Sequence, residues 1–458
     1  MIRRSSLALA CLVSTLCAAA PASANGRFPL AQQLVEDESD ANHLVLRTTF
    51  GIVSTHDRGK TWSWICEKSV GYSGTEDPSL GITQDGTLVA GIFDGLRTST
   101  DSGCDWKSPS TELDGKYVVD LTVEAADASH AVALTSNGIG GGKFATALWE
   151  TTDSGASWHA LGTALPDTVL GLTLDPAPSN PDRIYVSGVG DGGAAVLMRS
   201  SDRGKTWEQL SIPNAGVEAS PFIAAIAPND PDSLYVRTAG TDTNTLLHSA
   251  DGGDTFTEIF SGVGVMLGFA LSPDGQTVLV GYGDPKGGAA TDPATLGLWK
   301  SATSSFSFTR IAEGPINCLR WTSTGLYACG SEFVQGFELG FAKDASFDIS
   351  TANPFEPLMH LSEVDGPLTC NGSTTGAVCA DEWQPVCTTI GKCTTDADAG
   401  ADAGTGGSGS GGGSGVTPPD EEDPGDCNCR AAGSRGGGLG ALALTAAALG
   451  VALSRRRR

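Results

Sequence analysis

The chain has 458 residues, 53 Asp+Glu against 28 Lys+Arg, and a formal net charge of −25 at pH 7. Such acidity repels nucleic acid and anionic lipid and argues against either as a partner. The 12 cysteines fit an oxidising compartment.

Residues 1–24 read as a signal peptide. Arg3 and Arg4 precede an apolar run from Leu7 to Ala20, and Ala22-Ser23-Ala24 has the small-x-small form of a cleavage site, so export with cleavage after Ala24 is expected.

From residue 28 onward one turn motif recurs six times. The copies are Thr55-His-Asp57-Arg-Gly59-Lys-Thr61-Trp62, Ser99-Thr-Asp101-Ser-Gly103-Cys-Asp105-Trp106, Thr151-Thr-Asp153-Ser-Gly155-Ala-Ser157-Trp158, Ser200-Ser-Asp202-Arg-Gly204-Lys-Thr206-Trp207, Ser249-Ala-Asp251-Gly-Gly253-Asp-Thr255-Phe256 and a worn Ser301-Ala-Thr303-Ser-Ser305-Phe-Ser307-Phe308. Their third positions lie 44, 52, 49, 49 and 52 residues apart, the period of a four-stranded propeller blade. Ser/Thr and Asp side chains can accept hydrogen bonds from N–H groups of a tight turn, Gly permits the positive φ, and the aromatic opens a strand and packs between blades. These aspartates are therefore read as structural.

Between turns the strands repeat in order. A representative unit runs Val169 to Leu174 (inner), Arg183 to Ser187, Ala195 to Ser200 and Trp207 to Ser211. Such units give an all-β propeller of seven blades at about 28–66, 78–109, 117–161, 168–211, 218–261, 265–312 and 314–352, or six if the first or last is irregular. The seventh keeps a trace of the turn at Lys343-Asp344-Ala-Ser346-Phe347.

Cys318 and Cys329 are symmetric about Thr322-Ser323-Thr324-Gly325, so a hairpin would bond them across two strands. Cys66 and Cys104, in successive blades, form a candidate second pair. Residues 353–393 read as a connecting segment and a small module in which Cys370, Cys379, Cys387 and Cys393 make two disulfides, with three connectivities open. Their spacing lacks the short couplets of a zinc site, and neither a metal nor a cofactor is expected. Residues 394–426 read as a disordered stalk. Residues 427–458 then carry Cys427-Asn-Cys429-Arg430, an uncharged span 436–454 and four terminal arginines. Without residues 1–24 and 430–458, eight arginines are lost and the middle holds 20 Lys+Arg against 53 Asp+Glu, or −33.

Two resemblances follow from these motifs. The S/T-x-D-x-G-x-T/S-W turn resembles the Asp box of the bacterial neuraminidase repeat superfamily, over residues 28–352, which implies a β-propeller with the boxes between third and fourth strands. The C-terminal order of cysteine motif, hydrophobic span and basic tail resembles the MYXO-CTERM sorting signal of myxobacterial surface proteins. It implies a membrane-embedded sorting protease, cleavage near Cys427 and delivery to the cell surface or outer membrane.

The sialidases among these relatives clamp a substrate carboxylate with three arginines. Here Arg47, Arg237 and Arg320 fall on inner or second strands and could approach the channel, but the early Arg-Ile-Pro signature is missing and no Tyr/Glu pair is recognisable. The xyloglucan-cleaving relatives use acids facing across a cleft between two propellers, and this chain has one. Gly188-Val-Gly190-Asp-Gly192-Gly193 precedes a strand, so no helix N-terminus stands ready for phosphate. The long loops, Ser136 to Lys143, Gly188 to Ala194, Ala239 to Thr245 and Gly281 to Gly297, all join second to third strands and emerge opposite the boxes. The expected role is a non-enzymatic, surface-displayed scaffold that binds protein or glycan on that face. The alternative is a sialidase-like or other glycoside hydrolase acting at the channel mouth.

Overall fold

The computed structural model describes residues 28–393, except 74–75, 214, 216–218, 241–242, 285–291, 323 and 344–353. The segments expected to be signal peptide, stalk and sorting signal, Cys427 and Cys429 included, lie outside the described residues, as do parts of the Ala239–Thr245 and Gly281–Gly297 loops and the trace of a seventh turn beyond Lys343.

Seven antiparallel sheets surround a central channel. Their innermost strands are Ala31–Asp37, Ser79–Ile82, Val118–Val123, Leu170–Ala177, Ser220–Ile226, Val265–Leu271 and Cys318–Trp321. Each blade is sandwiched between two others, so its second strand carries a continuous apolar run rather than an alternating one. Leu44-Val45-Leu46, Ile184-Tyr185-Val186, Leu234-Tyr235-Val236 and Val278-Leu279-Val280 are all buried. A register shift recurs in the inner strand of blades one, three, four, five and six, bending it around the channel in the manner of a β-bulge. The second blade has three strands, and its fourth is reduced to a bridge between Thr98 and Lys107.

The recurrent turns join third to fourth strands. In the fourth copy the Ser200 hydroxyl donates to Asp202 Oδ1 at 2.8 Å and accepts from Gly204 N at 2.8 Å, while Thr206 donates its N–H to Oδ1 at 2.8 Å and its hydroxyl to Oδ2 at 2.6 Å. The same bonds recur at Asp57, Asp153 and Asp251. The residue before the glycine is left-handed too: Arg58, Ser102, Ser154 and Arg203 have φ of 56 to 60°. Gly253, at φ 97°, packs closely on the preceding blade: a Cβ there would lie 2.5 Å from the Leu197 side chain. Each turn is thus a wedge against the blade before it. The aromatics Trp62 and Trp158 are buried, and Trp62 donates to Gly59 O at 3.1 Å. In the worn sixth copy the left-handed residue is displaced to Phe306, at φ 48°.

No strand is shared between the chain ends. The four antiparallel strands of blade one are Ala31–Asp37, Asp40–Thr48, Gly51–Thr55 and Trp62–Ile65, and those of blade seven Cys318–Trp321, Leu326–Cys329, Leu339–Ala342 and Glu356–Met359. The seventh blade therefore reaches past 352 to 359, and the segment expected to be a connector supplies its outer strand. The seam is held by Ala31 N donating to the buried Glu338 at 3.0 Å, Thr324 donating to Glu36 at 2.8 Å, and Arg58 over the Phe341 ring at 5.9 Å.

The chain then straps the seam from outside. Val364–Pro367 adds a parallel fifth strand to the edge of Trp62–Ile65, and the helix Thr374–Thr389 follows. Cys66 bonds Cys379, Cys104 bonds Cys370, Cys387 bonds Cys393 and Cys318 bonds Cys329. This corrects two expectations: Cys66 and Cys104 are not partners, and the four C-terminal cysteines are not a self-contained module. The strap takes both ring cysteines because it docks on the second turn. Thr375 donates its hydroxyl to Gly103 O at 2.8 Å and its N–H to Cys104 O at 3.1 Å, and Asp105 accepts from Thr374 N at 2.8 Å. Cys104 and Asp105, the residues at which that turn departs from its siblings, are those that hold the helix.

Candidate functional site

The channel opens into a cavity of about 200 Å³ on the face that carries the recurrent turns. Inner strands run toward that face, so their last residues and the following hairpins line it: Glu36 and Glu38, Glu124, Pro178, Leu271, and Arg320 with Trp321. Deeper in, Leu80, Leu121, Phe269 and Leu319 line it beside Gln33, Asp120 and Asp175.

The carboxylates here hold blades together. Asp120 is buried and accepts Leu121 N at 2.9 Å and, from the next blade, Leu174 N at 2.8 Å. Asp175 is buried and faces the Thr122 hydroxyl at 3.4 Å. Glu124, 4 % exposed, pairs at 2.7 Å with Arg203, which also reaches Glu150 at 2.9 Å. Burial works to lower the Arg203 pKa, but the bonds to Glu124 and Glu150 outweigh it and raise it. Glu36 accepts from Thr324.

The three candidate arginines do not converge. Arg47 is buried between blades one and two, where it donates to the carbonyl of Pro78 at 3.1 Å. Arg237 is buried between blades five and six, stacked on Phe222 at 4.7 Å and bonded to Met266 O; burial lowers its pKa to about 10. Only Arg320 of the three lines the channel. The turn aspartates are committed acceptors: hydrogen bonds from Thr206 and Ser200 bring Asp202 down to about 2, and those from Thr255 and Ser249 do the same for Asp251. Asp57 reaches about 2 as well, burial opposing and the bonds from Thr55 and Thr61 prevailing. Asp101 and Asp153 make the equivalent hydroxyl contacts to Ser99 and Thr151. Among the described residues, no group of three or more His, Cys, Asp or Glu side chains is placed to hold a metal ion.

The opposite face differs in kind. The hairpin after Ala131–Gly140 turns through Gly140, Gly141 and Gly142, all at positive φ, and lifts Ile139 to 59 % exposure. Val263 ends the last strand of blade five at 62 %, Phe333 and Val334 sit on the short helix Glu332–Gln335 of blade seven at 64 and 65 %, and Tyr117 precedes the inner strand of blade three at 39 %. Strand direction puts all five on the face away from the recurrent turns, and they are the exposed large hydrophobic residues among those described. Sequence reasoning missed these residues. Only Ile139, within the glycine-rich loop, carried a local signal.

No protein-family model matches the chain, and no curated protein matches it. Among solved structures, an ancestral GH74 enzyme aligns over 76 % of this chain and 49 % of its own, at 13 % identity and a TM-score of 0.52. The chain thus spans about half the length of that enzyme. The GH74 xyloglucanase from Xanthomonas campestris aligns over 69 % of this chain and 63 % of its own, at 15 % identity and a TM-score of 0.35. A Hadza microbial sialidase aligns over 56 % and 63 %, at 17 % identity and a TM-score of 0.36. At these identities the likeness concerns the fold alone, a β-propeller.

Proposed function

We propose that the protein is an exported, surface-displayed propeller of the Asp-box type, a non-enzymatic scaffold that binds a protein or glycan partner on the face opposite its recurrent turns. The observation that carries this reading is that the exposed large hydrophobic residues among those described, Tyr117, Ile139, Val263, Phe333 and Val334, all lie on that face. Exposed Ile, Val and Phe on one side of an otherwise acidic surface are what a docking partner covers. The dispersal of Arg47, Arg237 and Arg320 supports it further, because a carboxylate clamp needs its guanidinium groups around one point. Export, processing near Cys427 by a membrane-embedded sorting protease, and display at the cell surface or outer membrane rest on the terminal motifs.

The test is a binding screen of the exported protein against a glycan array and surface proteins of its own cell, with Ile139→Ser/Phe333→Ser beside the parent. Capture lost in the variant, with unchanged circular dichroism, is the expected result. A second reading, glycoside hydrolysis at the channel mouth, draws on the cavity where Arg320 and Trp321 stand near Glu36 and Glu38. Turnover of a fluorogenic sialoside or aryl glycoside that disappears in Arg320→Ala would favour that reading and overturn the first.

A further inference from the structure

The seams between blades share one backbone joint and differ in the side chains that close it. Between blades four and five, two guanidinium groups close the rim. Arg183 lies over the Tyr185 ring at 6.0 Å and pairs with Asp232 at 2.7 Å. Arg199, opposite Tyr185 in the sheet, donates to the carbonyls of Asp251 and Gly252 at 3.3 and 3.0 Å and to Glu208 at 2.7 Å. Between blades three and four, Arg203 closes the joint by reaching back to Glu124 and Glu150.

One blade on, the same register positions hold Ser233 and His248, the latter opposite Tyr235 as Arg199 is opposite Tyr185. The turn of blade six has Ser304 where blade four has Arg203. Here the joint opens as a crevice of about 250 Å³ at the rim of the recurrent-turn face. Its walls are aromatic and acidic. His248 lies 4.7 Å from Tyr235 and 5.0 Å from Phe306, and its Nε2 is 3.0 Å from the Ser233 hydroxyl. Asp230 and Asp274 flank the opening.

We propose that this crevice is a binding site for a guanidinium group supplied from outside the chain, held by the Phe306 ring and the carboxylates of Asp230 and Asp274. The two preceding seams show the chemistry: in each, a guanidinium lies against an aromatic ring or the carbonyls and carboxylates of adjoining blades. Burial lowers the His248 pKa, against the opposing pull of Asp230 and Asp251, and so disfavours a positive charge on the wall. The site is separate from the apolar face on which the proposed function rests, so the two readings fail independently. The group can come from a free guanidine compound or from an arginine side chain of a partner.

The test uses the full exported protein, methylguanidinium chloride, and an acetylated Gly-Arg-Gly amide beside its citrulline counterpart. Binding is read from the His248 imidazole resonances and by calorimetry. The expected result is a saturable shift with both cationic probes and at least a ten-fold weaker response to the citrulline peptide. Similar affinity for the two cationic probes points to a free compound, and a peptide bound ten-fold more tightly than methylguanidinium points to an arginine side chain. Ser233→Arg/His248→Arg rebuilds the joint of blades four and five and should abolish binding, read by calorimetry, while leaving circular dichroism unchanged. Asp230→Asn/Asp274→Asn, confined to exposed loop positions, should weaken it about five-fold. No shift at millimolar probe, or undiminished binding in both double variants, would overturn the proposal.

Discussion

Removing the two bridges that tie the strap to the ring should show a calculable non-additivity. Cys66–Cys379 closes a loop of 313 residues and Cys104–Cys370 one of 266. By the chain-entropy relation, a single bridge of that span stabilises by roughly 5–6 kcal/mol. Once either is closed, however, the other closes only a short circuit, 38 residues from Cys66 to Cys104 on the ring and 9 from Cys370 to Cys379 on the strap. That second closure is worth about 4 kcal/mol. Cys104→Ala/Cys370→Ala should therefore cost up to about 4 kcal/mol, as should Cys66→Ala/Cys379→Ala, whereas the quadruple variant should lose up to about 10 kcal/mol. A loss of that size rivals the whole stability of an ordinary domain, about 5–15 kcal/mol. It matters here because blades one and seven share no strand, and their seam otherwise rests on side-chain contacts and one parallel strand. Urea unfolding of the parent, the two paired variants and the quadruple variant measures all three differences. A quadruple variant no less stable than either pair would refute the reasoning, because the strap would then contribute nothing to ring closure beyond one redundant link.

Arg203→Met strands Glu124, 4 % exposed, without its cation, and should cost about 3 kcal/mol by denaturant titration; adding Glu124→Gln should recover part of it. Burial, with Glu332 nearby, pushes Glu338 up to about 8 from an ordinary 4.5, so the folded state holds a proton the unfolded state has lost. Stability from this group is full below about pH 4.5 and lost as pH rises through 8; Glu338→Gln should flatten that fall between pH 5 and 9, and parallel profiles would count against it. A Cβ at Gly162, φ 64°, would lie 2.1 Å from Gly204 O, so Gly162→Ala should cost about 3 kcal/mol or more. Gly192→Ala, at φ 69° with nothing within 4 Å, should cost only about 1–2 kcal/mol, both variants being read by denaturant titration.

The propeller was legible because its determinants are local. A hydroxyl two residues before an aspartate, and a glycine two after it, come together within one turn wherever they occur. Their period then counts the blades, and the Cys318–Cys329 hairpin is local in the same sense. Placement of the candidate site was less legible. Arg47, Arg237 and Arg320 sit on the kinds of strand expected, but a strand residue faces either the channel or a neighbouring blade, and a bulge in the inner strand shifts that choice by one. Arg320 alone lines the channel, while Arg47 and Arg237 serve the seams.

The sequence by itself determined the repeating unit and its turns and narrowed the ring to six or seven blades, since these depend on hydrogen bonds and apolar runs within some fifty residues. Tertiary structure decided everything that joins distant segments: that Glu356–Met359 completes the last blade, that Cys66 and Cys104 bond the strap rather than each other, that five apolar side chains share one face, and that the joint at His248 stands open. The reason is that these depend on how the ring closes. Closure sets residues side by side that are as far apart in the chain as Ala31 and Glu338, a relation that no local pattern encodes.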